Sequence, residues 1–284
     1  CRVWEETVLL APEDVLHAIG MSVYGAMAPM VGHPNSPVIM EPIFAIDMHV
    51  RALSTASLGA MANIMRATHL DEAIFASLCR ESDMYHVLQR CAILVSRMAL
   101  TMPPPMFHDM VRATASWPDL CRRLISTSAT LSHARSRKLV ALGLAHMLRH
   151  ASAQDKGLLS AVPDMIGMWT EVVGEVVEDE AGSADRYERE LSPTRALEIG
   201  EDGIPFLDEF GLIEAAPTPS SARTDAVRSR DPSFNVPLRA YVADTLNAVL
   251  QNGSYKTQLQ SLLATIDPLV LDTLQRGLSE RPVA

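Results

Sequence analysis

Between Pro12 and Val177, apolar residues return at spacings of three and four in one segment after another. Each segment is closed by a proline, a serine or a short polar break. Side chains spaced that way share one face of an α-helix, so the pattern demands a stack of amphipathic helices. The clearest case is Asp83 to Leu100, where Val87, Leu88, Cys91, Leu94, Val95 and Met98 repeat at helical period. No alternating strand pattern or hairpin turn signal accompanies it. The chain reads as all-α.

The boundaries can be placed from local chemistry. Pro12-Glu13-Asp14 opens a first helix with Val15, Leu16, Ile19, Val23 and Met27 on its apolar face. His33 to Pro37 ends it. Helices are expected from about Ile43 to Thr68 with a break near Ser54, and from Leu70 to Cys79. Met102-Pro103-Pro104-Pro105 stops the Asp83–Leu100 helix, because proline lacks an amide donor and turns its predecessor away from helix. Shorter helices follow from Met106 to Ala115 and, after Trp117-Pro118-Asp119, from Leu120 to Ser128. Two longer ones run from Ala134 to His150 and from Leu158 to Val177. Taken in pairs the period is roughly forty residues, the spacing of HEAT-like solenoids.

That rhythm fails at Glu178. Through Arg230 the chain turns to Gly, Pro, Ser, Thr and carboxylates, with Pro217-Thr218-Pro219-Ser220-Ser221 inside. Such a stretch cannot bury enough apolar surface to offset its ordering entropy, so a disordered acidic insert is expected. Ile204 to Ile213 alone is apolar enough to dock. Helical stripes return with Leu238, Tyr241, Val242, Thr245, Leu246, Val249 and Leu250, then Leu259, Leu262, Leu263 and Ile266. Asp267-Pro268 supplies a cap and first turn for a last helix with Val270, Leu271 and Leu274. The organisation is therefore residues 1–177 as helical repeats, 178–230 as the insert and 231–284 as a small C-terminal helical cap.

Composition narrows the function. A formal charge of −10 lacks the basic stripe that nucleic-acid binding leaves, and suits a basic protein partner. Cys1, Cys79, Cys91 and Cys121 are far apart with no C-x-x-C, which argues against a disulfide framework or a zinc site. Ala18 to Val31 reads as too short and interrupted to span a bilayer. The chain opens on Cys1 inside a helix-like pattern, which reads as a piece of a longer protein.

Catalytic signals are thin. His108-Asp109 could belong to a helical metal-dependent hydrolase, but one His and one carboxylate do not fill a coordination sphere. A helix-start His beside a solvated Asp is the simpler reading. His146 and His150 could share a helix face, as zinc ligands do, yet no third ligand or general base is spaced with them. They read better as partly exposed histidines at a helix C-terminus, where the macrodipole favours the cation. Cys79, Cys91 and Cys121 read as core residues. The basic run Ser132 to Lys138 reads as a solvated first turn. No enzyme, metal or cofactor site is expected.

The order of parts resembles a known family. SRKLVALGLAHML (Ser136 to Leu148), DMIGMWTEVVGEVVEDEAG (Asp164 to Gly182), the acidic insert, DPSFNVPLRAYVADTL (Asp231 to Leu246) and LQSLLATIDPLVLDTLQRGL (Leu259 to Leu278) together resemble the C-terminal end of karyopherin-β nuclear transport receptors. The importin-eleven branch is the nearest likeness and the importin-nine branch a neighbour. The match is best from Asp119 to Leu278; upstream only the generic HEAT pattern remains.

The resemblance implies an all-α, HEAT-repeat-like solenoid of antiparallel helix pairs. It implies a non-enzymatic receptor that carries basic cargo through the nuclear pore, contacts pore proteins, and shuttles between nucleus and cytoplasm. Cargo would leave on Ran-GTP binding, although the family's N-terminal Ran-binding region has no counterpart in these residues. The expected cargo contacts are Glu175, Glu178, Asp179, Glu180 and Asp185, because so dense a carboxylate field attracts Lys/Arg-rich proteins. A passive linker, within a general HEAT scaffold for a cytosolic complex, is the competing reading. Neither nucleic acid nor membrane is an expected partner.

Overall fold

A computed structural model of the chain describes residues 7–8, 10–33, 39–80, 84–155, 157–182, 231–252 and 255–279, with the side chains of 176–182 excepted. Thirteen α-helices and no strand occur among the described residues. They are α1 (Pro12–Gly32), α2 (Met40–Ala52), α3 (Thr55–Ala67), α4 (Leu70–Cys79), α5 (Tyr85–Thr101), α6 (Pro104–Thr114) and α7 (Trp117–Ser128). Then follow α8 (Ala134–Arg149), α9 (Val162–Gly182), α10 (Pro232–Asn235), α11 (Leu238–Gln251), α12 (Lys256–Leu263) and α13 (Pro268–Ser279).

The helices stack in two rows. In one, α2 packs on α5, α5 on α8, and α8 on α11; in the other, α1 packs on α4, α4 on α7, and α7 on α9. Pairs such as α4 with α5 and α8 with α9 join the rows. Each helix thus buries its stripe against sequence neighbours and the next unit, which is how a solenoid builds a continuous core from repeats that cannot fold alone. One buried apolar cluster runs from Leu16 through Leu274.

Local chemistry sets the ends. Pro104 and Pro118 occupy first-turn positions of α6 and α7, where a missing amide costs nothing. Ser116 Oγ accepts the Asp119 amide at the start of α7, and Asp267 Oδ1 accepts the Leu269 amide at 2.8 Å at the start of α13. The expected break near Ser54 lies between α2 and α3.

Three sequence expectations change. The apolar face of α1 is Leu16, Gly20, Tyr24, Ala28 and Val31, while Ile19 is 44% exposed and Val23 and Met27 lie at the edge. The whole helix is apolar, so periodicity alone does not choose the buried side. α1 runs from Pro12 to Gly32 as expected, but its 21 residues are long and apolar enough to cross a membrane by length and composition, where Ala18 to Val31 alone reads as too short. One face of it packs against α4, α3 and α2, and 33% of its apolar window is buried. Finally, the helix expected to end at Val177 runs on to Gly182.

The C-terminal helices join the same core: α11 lies on α8, and α13 lies on α9. α5 is the central helix, with every residue from Cys91 to Ala99 buried. Its closest approach is to α8, where a Cβ on Gly143 would sit 2.9 Å from the Ser96 Cβ. Of the expected insert, residues 183–230, including the Ile204–Ile213 segment, lie outside the described residues, as does Cys1.

Candidate interaction surface

The acidic candidates begin on α9. Glu171 and Glu175 stand one helical turn apart and both reach Arg137 of α8; Glu171 Oε2 lies 3.3 Å from its Nη2, and Glu175 pairs with its Nη1. Glu178, Asp179 and Glu180 lie on the last turns of α9, but their side chains are outside the described set. Asp185 lies outside the described residues altogether. The structure therefore places four of the five candidates on one helix and gives contacts for Glu175 alone.

The basic run from Ser132 to Lys138 is not a solvated first turn. Arg137 is taken by the α9 carboxylates. Arg135 Nε donates to Ser233 Oγ at 3.0 Å, and its guanidinium carbon lies 3.4 Å from the Phe234 ring centroid. Lys138 is buried. Helix packing, rather than solvent, absorbs the charge.

Arg135 belongs to a larger ionic network that sequence reasoning missed. Arg97 of α5 is 3% exposed; its Nε donates to Asp47 Oδ1 at 2.8 Å and its Nη1 to Asp231 Oδ2 at 2.6 Å. Arg51 donates twice to Asp47 Oδ2, at 2.9 and 2.6 Å, and stands 3.9 Å from Asp231. Arg135 Nη2 stands 3.7 Å from the same Asp231 oxygen. Burial on its own would push both carboxyls up. The nearby guanidiniums overcome that cost and hold Asp47 and Asp231 below the ordinary carboxylate value. The signal was present in the sequence: Arg97 sits, with Ser96, inside the otherwise apolar run CAILVSRMAL, and Asp47 is the one charge in IFAIDMHV.

The histidine sites resolve differently from their sequence readings. His108 is buried rather than at a surface helix start. Its Nδ1 donates to Asp155 Oδ2 at 3.0 Å, and the other Asp155 oxygen accepts Trp117 Nε1 at 3.1 Å and Arg112 Nη1 at 3.3 Å. The amide and hydroxyl of Ser152 complete the shell at 2.7 and 2.8 Å. Asp155 thus pins the connection between α8 and α9 to α6 and α7. Burial opposes its ionisation, but the His108 and Ser152 hydrogen bonds win and lower its pKa. Asp109 is exposed, paired with Arg112.

His146 and His150 do face the same way, with ring centroids 4.4 Å apart, and His146 Nδ1 is hydrogen-bonded to the Tyr241 hydroxyl of α11. They are not the cationic pair that the helix terminus favours. Burial first, then the proximity of His150, His108 and Arg149, pushes His146 down to about 4. No cluster of three or more metal-ligating side chains occurs among the described residues. Cys91 and Cys121 are buried as expected, and burial pushes both thiols up to about 12. Cys79 is half-buried.

A stacked helical array with an acid-ended α9 and a returning segment that docks through Asp231 fits the order of parts read from the sequence. A family model described as "Importin-11-like, TPR repeats" matches residues 1–279. The chain belongs to the importin-11 family. No curated protein and no solved structure matches it. Within this importin array the first-row helices α2, α5 and α8 begin 45 and 49 residues apart. That spacing is closer to the ~40–47 of HEAT and armadillo units than to the ~34 of a tetratricopeptide unit.

Proposed function

We propose that the chain is the cargo-engaging part of an importin-type nuclear transport receptor, with the acid-rich end of α9 and the residues after it attracting basic cargo. Glu175, Glu178, Asp179, Glu180 and Asp185 are the proposed contacts. Cargo would be released on Ran-GTP binding, and the receptor would meet pore proteins while shuttling between nucleus and cytoplasm.

One observation carries the surface assignment. α9 ends with Glu178, Asp179 and Glu180 in its last turns and no basic residue there. Carboxylates at a helix C-terminus oppose the macrodipole, at a cost of about 0.3–1 kcal/mol each. A helix end that opposes its own macrodipole fits a functional surface better than a structural one. Lys/Arg side chains of a cargo would supply countercharge.

A pull-down with a basic ribosomal protein tests this. Replacing all five carboxylates by Ser should remove most of the captured protein, while the helical circular-dichroism signal stays unchanged. Equal capture by the replaced chain would reject the charge-based surface. In a receptor that carries the family's Ran-binding region together with these residues, cargo binding that ignores Ran-GTP would favour a cytosolic scaffold instead.

A further inference from the structure

Between the N-terminal half of α5 and the start of α8 lies a cleft of about 260 Å³ that opens to solvent. Gln89, Arg90 and Ile93 form one wall; Leu131, Ser132, His133 and Ser136 form the other. Gln89 Nε2 donates to the Thr130 carbonyl at 2.7 Å, which ties the turn before α8 to α5 and fixes the two walls relative to each other. Ile93, Leu131 and Ser136 are buried and make the inner end of the cleft, while the more exposed residues make its mouth.

The inner end holds a polar group without a protein partner. Ser136 is 9% exposed, and its hydroxyl, which lines the cleft, has no hydrogen bond to any described residue. Hydroxyls so enclosed are normally paired, so the partner must come from the cleft. Ser136 is the third residue of α8, within the turn whose amides have no intrahelical acceptor. The His133 side chain makes no capping hydrogen bond there, and the first turn carries no carboxylate. Those amides form the positive end of the helix dipole, which favours an anion. Arg90 adds a cation from the opposite wall. Its guanidinium carbon stands 5.8 Å from the Phe44 ring centroid, which braces it against α2. No carboxylate among the described residues lines the cleft.

We propose that this cleft is a phosphate-binding site. The α8 amides and the Ser136 hydroxyl donate to the oxygens at the inner end; Arg90, Ser132 and His133 donate to those at the mouth. Donors converging from two helices and a turn suit a tetrahedral group with three free oxygens, whereas a planar carboxylate offers two. A metal cation finds no charged acceptor in this lining. Inorganic phosphate and the phosphate monoester of a modified side chain present the same chemistry. The site is separate from the acidic end of α9 and stands or falls without it.

Thermal melts of the full chain at constant ionic strength read this. Sodium phosphate at about 10 mM should raise Tm by about 2–4 °C over sodium chloride. Arg90→Gln should remove most of that shift. Ser136→Asp offers its own carboxylate to the same amides, so it should raise Tm without phosphate and no longer respond to it. No shift in the unaltered chain, or a shift of the same size in both variants, would overturn the site. Helical circular dichroism identifies a variant that fails to fold, and the other variant then decides. N-acetyl-O-phosphoserine amide separates the two sources. A shift at least equal to that of inorganic phosphate supports a phosphorylated side chain as the natural ligand; a smaller shift or none supports free phosphate.

Discussion

Arg97 Nη1 donates to Asp231 Oδ2 at 2.6 Å, joining α5 to a residue 134 positions later, with both side chains almost wholly buried. Surface pairs in the same molecule, such as Arg122 with Asp119, have the same chemistry in water. The contrast fixes an expectation. Arg97→Ala strands Asp47 and Asp231 in the core and should cost about 3–5 kcal/mol, whereas Arg122→Ala should cost no more than about 1 kcal/mol. Urea unfolding of the two variants measures the difference.

The second expectation concerns the closest contact in the array. Gly143 faces the Ser96 backbone and side chain, and a methyl group there meets the Ser96 Cβ at 2.9 Å and its Cα at 3.0 Å. Gly143→Ala gains helix propensity but overpacks the α5–α8 seam. The net result should be a loss of about 1–3 kcal/mol. A gain in melting temperature would show that the seam yields.

Asp155 carries a different kind of load. Asp155→Ala removes the acceptor of His108 Nδ1 and Trp117 Nε1, leaving two buried donors unpaired at about 1–3 kcal/mol each. The variant should unfold earlier, with a red-shifted tryptophan emission as Trp117 gains water. Asp155→Asn, which keeps one acceptor oxygen, should lose less.

Acid should act in two steps. His146 has a folded pKa pushed below its unfolded value of 6.5, to about 4, and His150 is also lowered, with burial the main cause of both. The unfolded chain then binds more protons, so stability falls as pH drops from about 6.5 toward 4. Asp47, Asp155 and Asp231 are lowered from 3.8, so their contribution is present above that value and lost at lower pH, through their folded values. Thermal melts from pH 7 to pH 2 should show the first slope and the onset of the second. His146→Gln should reduce the first slope, His150 and His49 keeping the rest, and leave the second.

Much of the fold was legible because its signals are local. Proline at 103 and 104, the break at Ser54 and the Asp267 cap each act within one turn, and each marks a helix end in the structure. α1 was misread for the opposite reason. Its sequence is apolar on most sides, so only tertiary packing, including the Tyr24 hydroxyl bonded to His49 of α2, decides that Tyr24 is buried and Ile19 is not. The ionic network was hidden by distance: Asp231 caps α10 in the structure, and nothing near it in sequence names Arg97. His108 was tied to its neighbour Asp109, whereas its partner is Asp155, 47 residues away. Charge inside an apolar run, as at Asp47 and Arg97, was the one usable clue.

The acidic surface is tested most directly by a salt titration of binding to a basic ribosomal protein. Screening shortens the reach of exposed charges from about 30 Å at 0.01 M salt to about 8 Å at 0.15 M. Affinity should therefore fall steeply across that range, and Glu175, Glu178, Asp179, Glu180 and Asp185 replaced by Ser should abolish most of the slope. An affinity that holds constant with salt, or a slope that survives the replacement, would contradict it.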